Sequence, residues 1–330
     1  MSAHKRPPVP VIIAVIIGVQ ALLMLWFAWP AQKAEPRDLP VVVAGPQQAA
    51  DAFASQLRAT RPGAFEVTTV PDAAAADRKL RDRDAYGAFV FGPNGVSVHV
   101  ATAASPAVST ALGQLGATLG QATGKPVTVV DVAPAGPDDP RGAGFASAFL
   151  PLILTSIAAG AVIALLAGSL SGRLAALIGY GAGAGLLAAA LMHWTGLLGG
   201  TYLAGSAAIA LFTTAIAATV VGLAAVVGRA GIALGALLVF VLGNPLSGLA
   251  TAPELLPQPW GQLGQFLPPG AGATVLRSAA FFDWAGAGRG VLVLSAYVIV
   301  GLILVVAGSV RRSRGRTESP TAAEPALVAA

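Results

Sequence analysis

The sequence predicts an α-helical polytopic membrane protein with six transmembrane helices. A small α/β extracytoplasmic domain is expected between helices one and two, and a re-entrant segment between helices five and six. Three observations carry this expectation. Of 330 positions 55% are hydrophobic and 11% charged, against roughly 25% charged in soluble domains, and the mean hydropathy is +0.73. Apolar runs long enough to cross a hydrocarbon core recur along the chain. One block, 30–143, breaks the pattern with ten Lys/Arg and eleven Asp/Glu. Such a composition excludes a water-soluble enzyme. With no Cys and three scattered His, there is no thiol nucleophile or iron–sulfur ligand set and little for a metal, so no cofactor is expected.

The segment 1–29 reads as a cytoplasmic N-terminus and first span. His4, Lys5 and Arg6 precede an apolar run over 11–28 broken only by Gln20. A signal peptide is the competing reading, but Trp26, Phe27 and Trp29 stand where small residues should precede cleavage. The run therefore reads as an uncleaved anchor, with the Trp pair at the membrane interface.

Block 30–143 reads as the extracytoplasmic domain. Strands are expected at 41–44, 65–70, 86–91, 96–102 and 127–132, and helices at 47–60, 73–83 and 105–121. Ala50, Phe53, Ala54 and Leu57 share one helical face, as do Val108, Leu112, Leu115 and Leu119. Gly92-Pro93-Asn94-Gly95 supplies a hairpin turn. Helices separating strands favour a small α/β sheet. Lys125 after Gly120 and Gly124 falls short of a phosphate loop, because Leu119 and Pro126 occupy positions that need Gly and Ser or Thr. The charge run from Asp77 to Asp84 reads as a solvated helix face with mixed ion pairs.

In 144–250 four further spans are expected at 145–168, 174–193, 203–227 and 231–250. Arg173 and Arg229 are the only Lys, Arg, Asp or Glu between Gly142 and Pro253. The final span, 291–310, runs into the basic cluster 311–316, and 311–330 reads as a cytoplasmic basic tail. Six crossings put the first basic cluster, Arg173, Arg229 and the last cluster on the cytoplasmic side, in agreement with the positive-inside rule. The net charge of +5 thus reports membrane orientation, and no nucleic-acid partner is expected.

Gly181, Gly183 and Gly185 in the third span, with Gly231 and Gly235 in the fifth, read as surfaces for close helix packing. A dimer seam or a moving transport surface is the sharper alternative. The central spans hold no Asp, Glu or Lys, which argues against a proton-driven antiporter. His193 beside Trp194 reads as an interfacial anchor at the outer end of the third span.

The stretch from Gly243 to Arg277, much of it in the segment 251–290 expected to be re-entrant, is the most informative. Pro245 has no N–H and must kink or end the fifth span, freeing carbonyls that have to be buried in protein or meet water. Leu255, Leu256, Trp260, Leu263, Phe266 and Leu267 then form an apolar stretch too short to span and too apolar for an open loop. It reads as re-entrant, with Arg277 and Asp283 anchoring it at the interface.

Gly248, Leu256-Pro257, Trp260 and Pro268-Pro269 resemble the region between the fifth and sixth helices of type-2 ABC exporter permeases. The layout of one span, a large insert and five more spans is similar to the phage infection protein-like relatives of that superfamily. The resemblance implies a homodimer or heterodimer of permeases in a prokaryotic cytoplasmic membrane, both termini cytoplasmic, driven by a separate ABC ATPase. Its cargo would be an amphipathic, lipid-like or drug-like molecule moved outward through the lipid bilayer. Phe240, Leu242, Asn244, Pro245, Leu246, Gly248 and Trp260 are then expected along the transport pathway and its outer gate. Leu170–Arg173 leaves room for little more than a turn where such permeases carry a coupling helix. The alternative reading is therefore a non-transport scaffold or receptor that presents 30–143 to an envelope partner. A membrane enzyme is disfavoured, since there is no HExxH and Gly168-Ser169-Leu170-Ser171-Gly172 puts serine in the wrong place for a nucleophile elbow.

Overall fold

The computed structural model describes residues 8–93, 95–136 and 138–317, with the last six of these as backbone only. The basic cluster His4-Lys5-Arg6, the turn residue Asn94 and the tail 318–330 lie outside the described residues. The chain is mostly helical, with one small mixed sheet.

Five helices are long and apolar enough to cross a membrane: α1 (Val9–Gln32), α5 (Ala143–Leu166), α6 (Leu170–Trp194), α7 (Tyr202–Val227) and α11 (Gly288–Thr317), the last judged over Gly288–Arg311. The sixth expected crossing is different. α8 (Arg229–Ala236) passes into a π-helical stretch, Leu237–Gly243. Fifteen residues at 1.5 Å each reach about 22 Å, short of a core of roughly 30 Å. The shortening has a local cause, because the helix ends two residues before Pro245, which has no N–H to donate back one turn. α11 also departs from expectation. It continues through Arg311 to Thr317 rather than stopping at the basic cluster, as arginine is a good helix former.

α7 is the centre of the helical bundle. It packs against α5, α6, α8, α11 and α10 (Pro268–Phe281), and is built largely of Ala, Gly, Thr and Val. Small side chains let these backbones approach closely, as membrane packing requires. Gly181 and Gly185 of α6 face α7 at Thr214, Ser206 and Ala210, whereas Gly183 faces open space. Arg173 is buried and its Nε donates to the Ala167 carbonyl at 3.0 Å, so it caps the end of α5. α1 stands at the edge with almost its whole length exposed, apolar all round as lipid contact demands.

Between α1 and α5 lies the sheet domain, with β1 (Leu39–Ala44), α2 (Gln47–Thr60), β2 (Phe65–Val70), α3 (Ala73–Arg81), β3 (Gly87–Gly92), β4 (Gly95–Val100), α4 (Pro106–Thr123) and β5 (Thr128–Asp131). The strand order is β2-β1-β3-β4-β5. β1 pairs in parallel with β2 and β3, β4 is antiparallel to β3, and β5 is parallel to β4. Strand alternation sends Leu39, Val41 and Val43 to the face covered by α2 and α4, and Val42 and Ala44 to the face covered by α3. Neither core is closed by the domain alone. Ala252 and Leu255 enter the first, and Phe282 the second. The sheet therefore sits on the segment that follows the broken fifth helix.

Candidate functional site

That segment has little regular structure: a bend through 244–252, a 3-10 turn at Pro253–Leu255, the short α9 (Trp260–Gly264), and α10. Irregular backbone in a protein interior survives only when its polar groups find partners. Here side chains from remote elements supply them. The Trp26 indole Nε1 donates to the Val241 carbonyl at 2.7 Å. Gln265 donates to Ser247 at 3.0 Å, Arg277 to Leu249 at 2.6 Å, Ser105 to Thr251 at 2.6 Å and Arg37 to Leu255 at 3.1 Å. The backbone N–H groups of Glu35 and Arg37 add bonds to the Leu255 and Glu254 carbonyls. Gly248 makes the tightest bend with φ +66, and a Cβ there would lie 2.8 Å from the Pro253 nitrogen, so the site accepts no larger residue without movement.

Three cavities lie along the bend and the helix that leads into it. The first, about 660 Å³, lies between α1 and the π-helical stretch, and Leu22, Leu25, Trp26, Trp29, Leu242 and Trp260 make its apolar wall. The second, about 490 Å³, lies between α1, α5 and the bend, bordered by Phe27, Leu150, Asn244, Pro245 and Gly248. The third, about 350 Å³, separates the sheet domain from the bend and carries Arg83, Tyr86, Glu254, Arg277 and Arg289.

The pathway residues expected from sequence divide among these. Leu242 and Trp260 border the first cavity, Asn244 and Pro245 the second, and Gly248 both the second and the third. Phe240 borders none of the three and instead packs on Phe27 at a ring-centroid distance of 5.5 Å. Leu246 is also absent from all three walls, being buried with its backbone against Gly264. At the far end of α6, Trp194 is 83% exposed, as an interfacial ring should be. His193 turns inward beside Tyr202, its Nε2 buried without a hydrogen-bond partner.

Sequence reasoning missed most of the third cavity. Arg83 lies in the charge run expected to be a solvated helix face, yet α3 ends at Arg81 and Arg83 adopts φ +62. From there its Nη1 donates to the Thr274 carbonyl at 3.0 Å and to the Ser278 hydroxyl at 2.6 Å. Burial lowers its pKa from the usual arginine value. Tyr86 donates to Glu254 Oε2 at 2.8 Å, and burial, reinforced by the Glu254 charge, pushes its phenol well above the ordinary tyrosine value. Arg277 is pulled down to about 10, first by burial and then by repulsion from Arg83. Of the expected anchors, Arg277 is thus a cavity residue, whereas Asp283 is exposed and takes φ +46. The rest of the run behaves as expected in part. Lys79 pairs with Asp84 at 2.8 Å on the surface.

Asp77 faces inward and joins His99 Nδ1 at 2.6 Å, while His99 Nε2 meets Ser97 Oγ at 3.1 Å. The order of contacts is that of a hydrolytic triad. However, none of the three cavities borders Ser97, and the arrangement reads as a tie between α3 and β4. Among the described residues no group of three His, Asp or Glu could hold a metal ion. No protein-family model, curated protein or solved structure matches this chain.

Proposed function

We propose that this protein is the permease subunit of a type-2 ABC exporter, moving an amphipathic, lipid-like or drug-like molecule outward at the expense of ATP hydrolysed on a separate chain. In this reading the chain crosses a prokaryotic cytoplasmic membrane six times, with α8 and the π-helical stretch as the shortened fifth crossing. The 251–290 segment is re-entrant, the sheet domain is extracytoplasmic and both termini are cytoplasmic. Two permease halves, identical or different, would enclose the pathway.

One observation carries the reading: the fifth helix breaks between an apolar cavity of about 660 Å³ and a second of about 490 Å³. An anchor needs neither an interrupted helix nor an open apolar groove of this size against its first span. The first cavity is of the size that small-molecule sites require, roughly 300–1,000 Å³. ATP-driven closure of the partner ATPases would tilt α5 and α8, and the bend from Asn244 to Gly248 would act as the outer valve. Leu242 and Trp260 meet cargo on the lipid side, and Asn244 and Pro245 meet it beyond the bend.

A second reading, a scaffold or receptor presenting the sheet domain to an envelope partner, is favoured by one feature. Only residues 167–169 join α5 to α6, and Gly228 alone joins α7 to α8. Neither connection carries a separate helix for docking a motor.

Purification in mild detergent from native membranes separates the two. Vanadate-sensitive ATP hydrolysis that co-purifies with the chain is the result expected of an exporter. A clean preparation with no associated ATPase would overturn the export reading in favour of the scaffold.

A further inference from the structure

The third cavity belongs to neither the apolar pathway nor the core. We propose that it is a binding site for a phosphate group, presented by an anionic lipid headgroup or by a free phosphate. The inference does not depend on export, because it concerns binding to this chain alone.

Three arginines from separate elements converge on one cavity: Arg83 beyond α3, Arg277 on α10 and Arg289 on α11. Among the described residues Glu254 is the only carboxylate on its wall, so three positive charges against one negative leave a net +2. Glu254 already accepts the Tyr86 hydroxyl, and among the described residues none of the three arginines is in an ion pair. Arg277 is buried, Arg83 partly so and Arg289 exposed at the rim, and Arg83 and Arg277 repel each other, so cations held from water without counter-charge are costly there. A doubly charged anion cancels the excess, as a phosphate monoester with about −1.5 to −2 at neutral pH does.

The way each arginine is held points to the same ligand. Every guanidinium lies over an aromatic ring: Arg83 over Phe282 at 5.2 Å, Arg277 over Phe145 at 5.1 Å and Arg289 over Phe266 at 4.3 Å. Stacking fixes the plane and leaves the N–H edge free for the planar fork that matches phosphate oxygens. Protein acceptors take donors only from Nη1 of Arg83 and Nη2 of Arg277 among the hydrogen bonds described. The other N–H groups of these arginines take no protein acceptor among the hydrogen bonds described. Gln262, Gln265 and Thr274 add neutral polar groups to the wall. A volume of about 350 Å³ is near the small end for ligand sites, suited to a headgroup and not to acyl chains.

The test uses the full-length chain in phosphate-free mild detergent at low salt, with binding followed by calorimetry and by the thermal unfolding midpoint. The probes are inorganic phosphate and dihexanoyl phosphatidic acid, with dihexanoyl phosphatidylcholine as the comparison of equal chain length. Saturable binding and a raised midpoint with either of the first two probes is expected. Response to both means that phosphate itself is read. Response to phosphatidic acid alone identifies a lipid headgroup, and response to inorganic phosphate alone a soluble anion. Arg277 also holds Leu249, so the decisive variants are R289Q, at an exposed position, and E254Q, which still accepts from Tyr86. R289Q should weaken binding about tenfold, and E254Q should tighten it severalfold. No response at about 10 mM of either probe, equal affinity in both variants and the parent, or phosphatidylcholine binding as tightly as phosphatidic acid would each overturn the assignment.

Discussion

The Trp26 indole donates to the Val241 carbonyl at 2.7 Å, and Val241 stands four residues before Pro245, whose missing N–H would have bonded that same carbonyl in an unbroken helix. The first span thus supplies the donor that the fifth cannot make for itself. Replacing Trp26 by Phe keeps the ring and removes the donor, and should cost about 1 kcal/mol of stability in detergent. In a P245A background the restored N–H competes for the carbonyl, so the same change should cost less than half as much. A double-mutant cycle of unfolding free energies reads the coupling, and additive costs would show that the indole bond does not substitute for the helix bond.

Absence of cysteine makes the orientation directly measurable. Single cysteines at exposed Glu66 or Thr118 of the sheet domain should react with a membrane-impermeant maleimide in intact cells. Cysteines at Gly168 or Arg229 should react only after permeabilisation. Labelling in the reverse order would invert the topology and remove the export direction with it.

Glycine spacing in α6 predicts opposite outcomes on opposite faces of one turn. A Cβ at Gly185 would lie 2.5 Å from the Ser206 carbonyl oxygen and 2.8 Å from the Ala210 side chain, whereas nothing lies within 4 Å of one at Gly183. G185I should therefore destabilise the bundle by about 1–3 kcal/mol through overpacking of the α6–α7 seam. G183A should be neutral or gain up to about 1 kcal/mol from helix propensity. Thermal unfolding of the two variants distinguishes a packing face from a lipid face, and equal losses would show that both positions are packed.

Tyr86 provides a pH signature. Burial and the Glu254 charge both disfavour its phenolate, so its pKa is raised in the folded chain. Phenol absorbance titrated to about pH 11, beyond the ordinary value near 10, should therefore be the same for the parent and Y86F, since Tyr86 does not ionise there. Stability from this group is fully present below about pH 10 and is lost as pH rises above the unfolded value. A smaller titration amplitude in Y86F would show Tyr86 to be solvated.

Much of this architecture is legible in the sequence because it is local. Hydropathy marks five long helices, strand alternation marks the sheet, and Pro245 marks the break. What remains hidden depends on contacts between distant positions. Trp26 reads as an interfacial ring, and only the fold brings it to a carbonyl 215 residues away. Arg83 sits among seven other residues of a mostly charged run, and nothing in that run separates it from Arg81, which stays exposed. Its burial follows from the left-handed turn after α3 and from α10 arriving beside it. Leu246 reads as a pathway residue because it is apolar and close to Pro245, but it lies buried in the interior.

Ser247, Gly248 and Thr251 form a single thickness of chain between the arginine-lined chamber and the apolar one beside α1 and α5. Whatever shifts these three residues when it settles on one side alters the fit on the other, and by linkage the effect is equal in the opposite direction. An anion in the arginine-lined chamber and a cargo in the apolar one, bound as proposed, would then be coupled through the same few peptide bonds.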